Sequence, residues 1–372
     1  DKNAQGIDFL FEKNEVEGVK GLARLVGENE VEVGTDGKTK AFRAPHIIVA
    51  TGSVPREVPT APADGKRILN SDHILKIAHV PDSLVVLGAG AVGIEFASIF
   101  ASFGSSVTIV EMLPNALPLE DLEVSQELER AFRKRKIKLL TGTKLAAVEE
   151  EEGVLRLRIE SEDLSEWMEA NTLLVAVGRA PVTEKLGLEE QGVELDEGYV
   201  CVNEFMQTSV PTIYAIGDVV QTPWLAHVAS AEGILAVEHL IGRDVRPINY
   251  DQVPGVTFCQ PEVGSVGLTE KVARERGYDV ATGRFPFSAL AKAAIEGSAA
   301  GFVKVVRDKK YDELLGVHVI GPHATEMIAE ACVALRLEST TEELFRAMHA
   351  HPTMAEAVAE AAHAAVDRAI HM

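Results

Sequence analysis

A chain of 372 residues is too long for one ordinary hydrophobic core, so it predicts two or three domains. Its hydrophobic content of 46% is normal for a soluble globular protein. The formal net charge of −21 argues against nucleic acid or an anionic membrane as a partner, because both present dense negative charge, and it leaves open a small neutral substrate or a basic protein.

The three cysteines, Cys201, Cys259 and Cys332, are isolated and form no C-x-x-C pair. They predict a reducing compartment, by default the cytoplasm, with an organelle matrix still open because a transit peptide would already be removed. Apolar neighbours favour a buried small side chain over a nucleophile at each position. No apolar run reaches the length of a membrane span and no signal-peptide pattern opens the chain, so we predict no membrane partner. We also predict no metal site.

The first part of the chain predicts short strands. Residues 18–25 and 30–33 alternate like strands, and residues 34–37 form a typical hairpin turn. Residues 46–50 are continuously apolar and run into Thr51-Gly52, which predicts a strand buried on both faces.

The clearest cofactor motif is the glycine-rich loop 88–93, with the sequence GAGAVG. A strand precedes it, a helix is predicted at 94–103, and the next strand ends at Glu111, 23 positions after Gly88. A lone GxGxxG is a weak signal, but this combination is specific for a dinucleotide site. A glycine-rich turn without a ligand is the alternative interpretation.

Each residue of this motif has a physical reason. Gly88 allows the tight turn, Gly90 lets a pyrophosphate approach the backbone, and Gly93 lets the helix pack closely on the strand. The helix N-terminus offers free N–H groups and a positive dipole end to the phosphates. Glu111 can bind the ribose diol of NAD and would repel the extra phosphate of NADP, and no Arg stands beside it, so NAD(H) is predicted.

A charged amphipathic helix is predicted at 121–136, and an internal repeat follows. Residues 47–55 align without a gap with residues 173–181, which indicates a duplicated dinucleotide-binding domain. Gly88 precedes Gly178 by 90 residues, and the same distance before Gly52 falls ahead of the first residue. We therefore expect the first copy to lack its phosphate-binding loop and the chain to be a piece of a longer protein.

The remaining chain predicts a strand ending in Gly217-Asp218, then an α+β domain in which the strands of an antiparallel sheet are interleaved with helices from about residue 250. Near its end, Pro352 breaks the segment before an Ala-rich helix at 357–366. Thr353 and Glu356 fit a capping box. Glu356 can also accept a hydrogen bond from one ring nitrogen of His351 and leave the other as a base.

These motifs, in this order, resemble the dihydrolipoamide dehydrogenases within the FAD-dependent pyridine nucleotide-disulfide oxidoreductases. The resemblance covers essentially the whole chain. It implies an α/β flavoprotein fold with two dinucleotide-binding domains, the first Rossmann domain truncated, and a C-terminal α+β dimerisation domain. The domains would be the remainder of the FAD domain (1–79), the NAD domain (80–200), a return segment completing the FAD site (201–250) and the dimerisation domain (251–372).

The resemblance also implies site residues. His351 would exchange a proton with the substrate thiol and Glu356 would orient it, acting on the disulfide of the partner subunit in a homodimer. The implied FAD-binding residues are Thr51, Gly52, Gly217, Asp218, Leu225, Ala226 and His227. The implied NAD-binding residues are Gly88, Gly90, Val92, Gly93, Glu95, Glu111 and Gly178.

The implied activity is oxidation of dihydrolipoamide to lipoamide, with electrons passing through a redox disulfide and FAD to NAD⁺. The lipoyl group would be carried by a protein of a 2-oxoacid dehydrogenase or glycine cleavage complex. The family's redox disulfide is absent from this sequence, so we expect the chain alone to be inactive.

Two kinds of alternative remain. One is another family member, such as a glutathione- or mercuric-reductase-like enzyme; Glu111 opposes the NADP preference of the former, and the C-terminus lacks the paired cysteines of the latter. The other is a non-catalytic NAD-binding or dimerisation module.

Overall fold

The computed structural model describes residues 2–35, 37–151, 153–163 and 165–371. Within these ranges no helix is both long and apolar enough to cross a bilayer. The chain divides into two compact units, each made of two segments. Unit 1 comprises Asp1–Val54 and Ala180–Tyr250, and unit 2 comprises Pro55–Arg179 and Asp251–Met372.

The helices and strands are numbered in chain order. The helices are α1 (Lys2–Lys13), α2 (Ser71–Ile74), α3 (Ala91–Ser102), α4 (Leu122–Lys134), α5 (Ala226–Leu240), α6 (Glu270–Glu275), α7 (Ala291–Glu296), α8 (Ala324–Arg336), α9 (Thr341–Arg346) and α10 (Glu356–Ala365). The strands are β1 (Leu22–Gly27), β2 (Glu30–Thr35), β3 (Lys38–Arg43), β4 (Ile47–Val49), β5 (Ser53–Pro55), β6 (Ile68–Leu69), β7 (Ser83–Leu87), β8 (Ser106–Val110), β9 (Lys138–Leu140), β10 (Lys144–Glu151), β11 (Val154–Glu160), β12 (Ser165–Ala170), β13 (Thr172–Val175), β14 (Arg179–Pro181), β15 (Leu195–Asp196), β16 (Tyr199–Val200), β17 (Ile213–Ala215), β18 (Gly255–Thr257), β19 (Glu262–Gly267), β20 (Val280–Pro286), β21 (Phe302–Asp308) and β22 (Leu314–Gly321).

Unit 1 combines an antiparallel sheet, β1-β2-β3, with the parallel pair β4 and β17. The predicted hairpin turn between β2 and β3 includes Asp36, which lies outside the described residues. The strand predicted at 46–50 is present as β4, but Ile47 and Ile48 are only half-buried, so the expected burial on both faces was wrong. Val49 and Ile213 lie in the core of this unit, which fixes β4 beside β17.

The first segment of unit 2 is built on a parallel sheet of order β6-β13-β7-β8-β9. The connection β7-α3-β8 is a parallel βαβ unit, because α3 carries the chain back to start β8 beside β7. Its core includes Val86, Ile94, Phe100 and Ile109. The carboxyl ends of β7, β8 and β13 therefore lie along one edge of the sheet, which is where open α/β sheets bind ligands.

The second segment of unit 2 contains an antiparallel sheet of order β18-β19-β22-β21-β20. Every residue of the central strand β22 is buried. Side chains of α8 and α10 share a core with this sheet, including Ile328, Val358 and Val319. The predicted α+β domain with an antiparallel sheet is confirmed.

Strand β20 and helix α7 were missed in the sequence. β20 contains Gly283 and Pro286, residues that commonly end strands. A Cβ at Gly283 would lie 2.0 Å from the Ala361 carbonyl oxygen, so the glycine is needed where α10 crosses the strand. The α/β flavoprotein fold is confirmed by the comparisons described below, whereas the domain bounds 1–79, 80–200, 201–250 and 251–372 stay a prediction.

Candidate active site

The loop after β7 has the geometry of a dinucleotide-binding turn. Gly88 has a φ of +104°, and a Cβ there would lie 2.5 Å from the Ala176 carbonyl oxygen. A Cβ at Gly93 would lie 2.0 Å from the Gly88 carbonyl oxygen, which α3 could not tolerate. By contrast, no atom lies within 4 Å of a Cβ built on Gly90. The loop is thus closely packed at Gly88 and Gly93 and open at Gly90, as a bound pyrophosphate requires.

The start of α3 completes this anion-binding geometry. Gly90 is the N-cap residue, and the first helical hydrogen bond runs from the Ile94 amide to the Gly90 carbonyl oxygen at 3.0 Å. The amides of Ala91, Val92 and Gly93 therefore precede that bond, at the positive end of the helix dipole. The residues present fit the pyrophosphate of NAD.

Glu111 has an additional function that its sequence position did not reveal. The residue is 9% exposed, and its carboxylate accepts hydrogen bonds from the Ala89 amide at 2.6 Å and from the Leu113 amide at 2.8 Å. Each carboxylate oxygen has a further lone pair. Glu111 thus holds the glycine loop in place, and its binding to the ribose stays a prediction.

Glu95 and Gly178 flank the same region of unit 2. Glu95 lies on α3 and accepts a hydrogen bond from the Phe258 amide at 2.8 Å. Gly178 follows β13 and has a φ of +103°, and a Cβ built on it would meet no atom within 4 Å. Because β13 is hydrogen-bonded to β7, Gly178 and Gly88 lie at the same edge of the sheet. Their contact with NAD stays a prediction.

The proposed flavin residues of unit 1 meet at the carboxyl ends of β4 and β17. Gly52 and Gly217 both have a φ of +70°. The Ser53 hydroxyl donates to the Asp218 carboxylate at 2.5 Å, which joins the two turns. Thr51 donates to the Val182 carbonyl oxygen at 2.6 Å. Ser53 was not predicted, although its position directly after Thr51-Gly52 was the available signal.

Leu225, Ala226 and His227 form the start of α5. Leu225 is the N-cap residue, and the helix begins at Ala226. A helix start beside a carboxylate-bearing turn can hold the phosphate and polyol groups of a dinucleotide, through backbone amides on one side and an acceptor on the other. The residues present in unit 1 thus fit part of an FAD site, and their individual roles stay predictions.

The His351 corner lies directly before α10. The Glu356 Oε1 atom is 2.9 Å from His351 Nδ1, and 71% of the His351 side chain is exposed. The other oxygen of Glu356 accepts a hydrogen bond from the Thr353 amide at 2.9 Å. Pairing through Nδ1 restricts the ring and leaves Nε2 available as a proton acceptor. The arrangement is that of a base oriented by a carboxylate.

The predicted capping box is only half formed. The Thr353 amide is bonded to Glu356, but the Thr353 hydroxyl donates to the Ala350 carbonyl oxygen at 2.7 Å. The first turn of α10 therefore receives no hydroxyl cap. Glu356 serves both the turn and His351, as the sequence suggested.

His349 is a partly buried histidine paired with a carboxylate. Its Nε2 atom lies 2.7 Å from Glu330 Oε1, and its Nδ1 atom lies 2.8 Å from the Ala347 carbonyl oxygen. The hydrogen bond to Glu330 raises the pKa of His349 although partial burial opposes it. This contact fixes the chain two residues before His351.

Comparisons with known proteins agree with these features. A family model described as pyridine nucleotide-disulphide oxidoreductase matches residues 1–233, and the model of its dimerisation domain matches residues 253–362. A mitochondrial dihydrolipoyl dehydrogenase of Pisum sativum is 40% identical over 372 residues, covering 99% of this chain and 74% of the pea protein. A dihydrolipoyl dehydrogenase of Zymomonas mobilis is 42% identical over 371 residues, and the match covers 99% of this chain and 80% of the Zymomonas protein. The crystal structure of LpdA from Mycobacterium tuberculosis has a TM-score of 0.89 at 29% identity, covering 97% of this chain and 80% of LpdA.

Proposed function

We propose, on the premise that this chain belongs to the pyridine nucleotide-disulphide oxidoreductase family, that it acts as a dihydrolipoyl dehydrogenase. The overall reaction converts a dihydrolipoyl group and NAD⁺ into a lipoyl group, NADH and a proton. The observation that carries the proposal is the 2.9 Å contact between His351 Nδ1 and Glu356 Oε1 in an exposed corner. An acid–base group of this kind is what a dithiol substrate requires.

The proton chemistry follows from this pair. The thiolate is the reactive form of a thiol, so the substrate thiol must lose its proton before it attacks a disulfide. His351 accepts that proton at Nε2, while the hydrogen bond from Nδ1 to Glu356 stabilises the imidazolium that forms. The same histidine returns a proton when a thiolate leaves.

FAD and NAD are the cofactors of this family, and the chain has residues suited to both. FAD supplies the two-electron chemistry that links thiols to the nicotinamide. The Gly88–Gly93 loop and the start of α3 would hold the NAD pyrophosphate, and Glu111 would accept hydrogen bonds from the ribose. Asp218, fixed by Ser53, would accept from the flavin nucleotide.

The partners follow from the same assignment. The dimerisation domain at residues 253–362 makes the protein a homodimer. We propose that His351 and Glu356 act on the redox disulfide of the partner subunit, and that the substrate is a lipoyl group carried by another protein. The three cysteines are unpaired in the described part of the chain, which supports a reducing compartment such as the cytoplasm.

The test is the activity of His351→Gln in the full-length protein, measured as NADH formation from dihydrolipoamide and NAD⁺. Loss of a positioned base should lower kcat/KM by about 10²- to 10⁴-fold. His371→Gln is the matched control, because His371 also contacts a glutamate through Nδ1, with 2.7 Å to Glu360 Oε1, and is 68% exposed. Activity of the His351 variant within about threefold of wild type would refute the assignment.

A further inference from the structure

Glu232 is a fully buried carboxylate beside the Gly217-Asp218 turn. It lies on α5 and is 0% exposed. Glutamate is almost never fully buried unless its oxygens are paired, because an unpaired buried charge is strongly unfavourable. Both oxygens have donors here: the Gly217 amide lies 2.6 Å from Oε2, and the Tyr250 hydroxyl lies 2.9 Å from Oε1. The side chain therefore fixes the backbone of the turn.

Helix α5 approaches this turn closely enough for that contact. A Cβ at Gly217 would lie 3.2 Å from the Ala229 Cβ atom, and a Cβ at Gly233 would lie 3.3 Å from the Ile216 side chain. Ala229, Glu232 and Gly233 are three and four residues apart, so they share one face of the helix. The small residues on this face allow the approach that brings Glu232 to the Gly217 amide.

The negative charge of Glu232 affects the neighbouring groups. The pKa of Tyr250 is raised well above its usual value, because the hydroxyl is buried and faces the Glu232 carboxylate. A hydrogen bond from an amide to a carboxylate is also about twice as strong as one between neutral groups. The Gly217 amide is thus held by a strong bond directly before Asp218.

We propose that Glu232 is a positioning residue for the flavin site, fixing the Gly217 amide so that the Asp218 carboxylate is aligned for FAD. This inference rests on the proposed function, which assigns Asp218 to FAD. The turn then has two anchors. Glu232 holds its backbone, and the Ser53 hydroxyl, 2.5 Å away, holds the Asp218 side chain.

Two variants of Glu232 change the charge and the length of the side chain one at a time. Glu232→Gln keeps the length of the side chain and removes the charge, whereas Glu232→Asp keeps the charge and shortens the side chain by one methylene. Both should raise the Kd for FAD of the full-length apoprotein by about tenfold, because each weakens the bond to the Gly217 amide. Glu204→Gln, at an exposed position of the same unit, should leave the Kd within about twofold of wild type.

The measurements are a fluorescence titration of apoprotein with FAD and the rise in Tm on adding FAD. A positioning residue reduces the FAD-induced rise in Tm, since this rise depends on the Kd. A purely structural residue lowers the Tm of the apoprotein and leaves the Kd unchanged. Tyr250→Phe removes the second hydrogen bond of Glu232 and should raise the Kd for FAD about two- to threefold. If the Glu232 variants do not fold, this variant tests the same positioning role.

Asp218→Asn distinguishes failure of this inference from failure of the proposed function. If Asp218→Asn raises the Kd for FAD and the Glu232 variants do not, the inference is overturned and the flavin site stands. If Asp218→Asn also leaves the Kd unchanged, the proposed flavin site is wrong and the inference falls with it.

Discussion

Glu356 shows how one side chain can serve two neighbours. Its two oxygens take the Thr353 amide and the His351 ring, each at 2.9 Å. Partial burial works to raise the pKa of Glu356, but the hydrogen bonds from Thr353 and His351 outweigh it, and the pKa is lower than usual. Because a lowered pKa keeps the carboxylate ionised as pH falls to about 4.5, the base is oriented by an anion throughout the neutral range.

The first prediction concerns Glu356→Gln. The Thr353 amide and the His351 ring contact different oxygens of Glu356, and glutamine replaces one of these oxygens with an NH₂ group that cannot accept a hydrogen bond. We expect kcat/KM to fall by about 10- to 100-fold, the effect of losing a hydrogen bond to a charged group. Steady-state kinetics of the variant and the wild type would measure it.

The control for this change is Glu296→Gln. Glu296 also accepts from a histidine, His323, at 3.1 Å, but lies away from the His351 corner in sequence. The activity of Glu296→Gln should equal that of the wild type. Wild-type activity of Glu356→Gln would contradict the role given to the carboxylate.

At the scale of elements, the connection β7-α3-β8 joins local sequence to ligand binding. Gly93 is required by packing, since a Cβ there would lie 2.0 Å from the Gly88 carbonyl oxygen. Gly90 is not, because it has an ordinary φ of −72° and open space around it. Gly93 is therefore required by the packing of the fold, whereas Gly90 leaves open the space that the proposed ligand would occupy.

The second prediction compares Gly90→Ala with Gly93→Ala. Gly90→Ala should keep the Tm within about 2 °C and weaken NADH binding about tenfold, because its methyl group enters the space of the pyrophosphate. Gly93→Ala should lower both the Tm and the affinity for NADH, because α3 must move away from β7. Differential scanning fluorimetry and NADH fluorescence titration would separate the two effects.

Gly6→Ala is the control for the glycine variants, since its Cβ would meet no atom within 4 Å and it lies in α1. It should change neither the NADH affinity nor the Tm by much. Equal loss of Tm in Gly90→Ala and Gly93→Ala would show that both glycines are needed only for packing.

At the scale of the whole molecule, a buried ionic cluster joins distant parts of unit 2. Lys304 is 2% exposed, and its Nζ atom lies 3.0 Å from Asp121, 2.7 Å from Glu123 and 2.8 Å from Glu270. Glu120 beside it accepts from the Ser265 hydroxyl at 3.1 Å through one oxygen. The other oxygen is buried without a partner among the described residues.

The contributions of these carboxylates to stability change with pH in opposite directions. Burial, assisted by the neighbouring Asp121 charge and opposed by Ser265, raises the pKa of Glu120 to about 7. The contribution of Glu120 to stability is therefore fully present below about pH 4.5 and lost as pH rises through about 7. Burial acts to raise the pKa of Asp121, but the neighbouring His318 and the contact with Lys304 outweigh it, and the pKa is lowered. Contact with Lys304 also lowers the pKa of Glu270, so the stability contributions of both carboxylates are lost in acid.

The third prediction follows for Glu120→Gln, which is neutral at every pH. Its Tm should exceed that of the wild type by several degrees at about pH 8 and by much less at about pH 5, corresponding to at most about 3 kcal/mol. Calorimetry of both proteins at a series of pH values would measure this. Glu166→Gln, at an exposed position of the same unit, should show no such pH-dependent difference.

Local signals explain what was predictable in this chain. The loop 88–93 and helix α10 were predicted because each depends on residues adjacent in sequence: glycines between a strand and a helix, and a proline before an alanine run. The pairing of His351 with Glu356 spans only five positions. By contrast, β20 was missed because Gly283 is explained only by α10, far along the chain.

The sequence by itself determined the cofactor motifs, the antiparallel sheet of the C-terminal domain and the oriented histidine. These depend on backbone conformations and side-chain reach that a few consecutive residues fix. Only the tertiary structure decided that Glu111 holds the glycine loop, that Ser53 meets Asp218, and that Glu232 lies buried beside Gly217. Such contacts join residues whose separation along the chain carries no periodic signal, because they form only when packing brings separate strands and helices together.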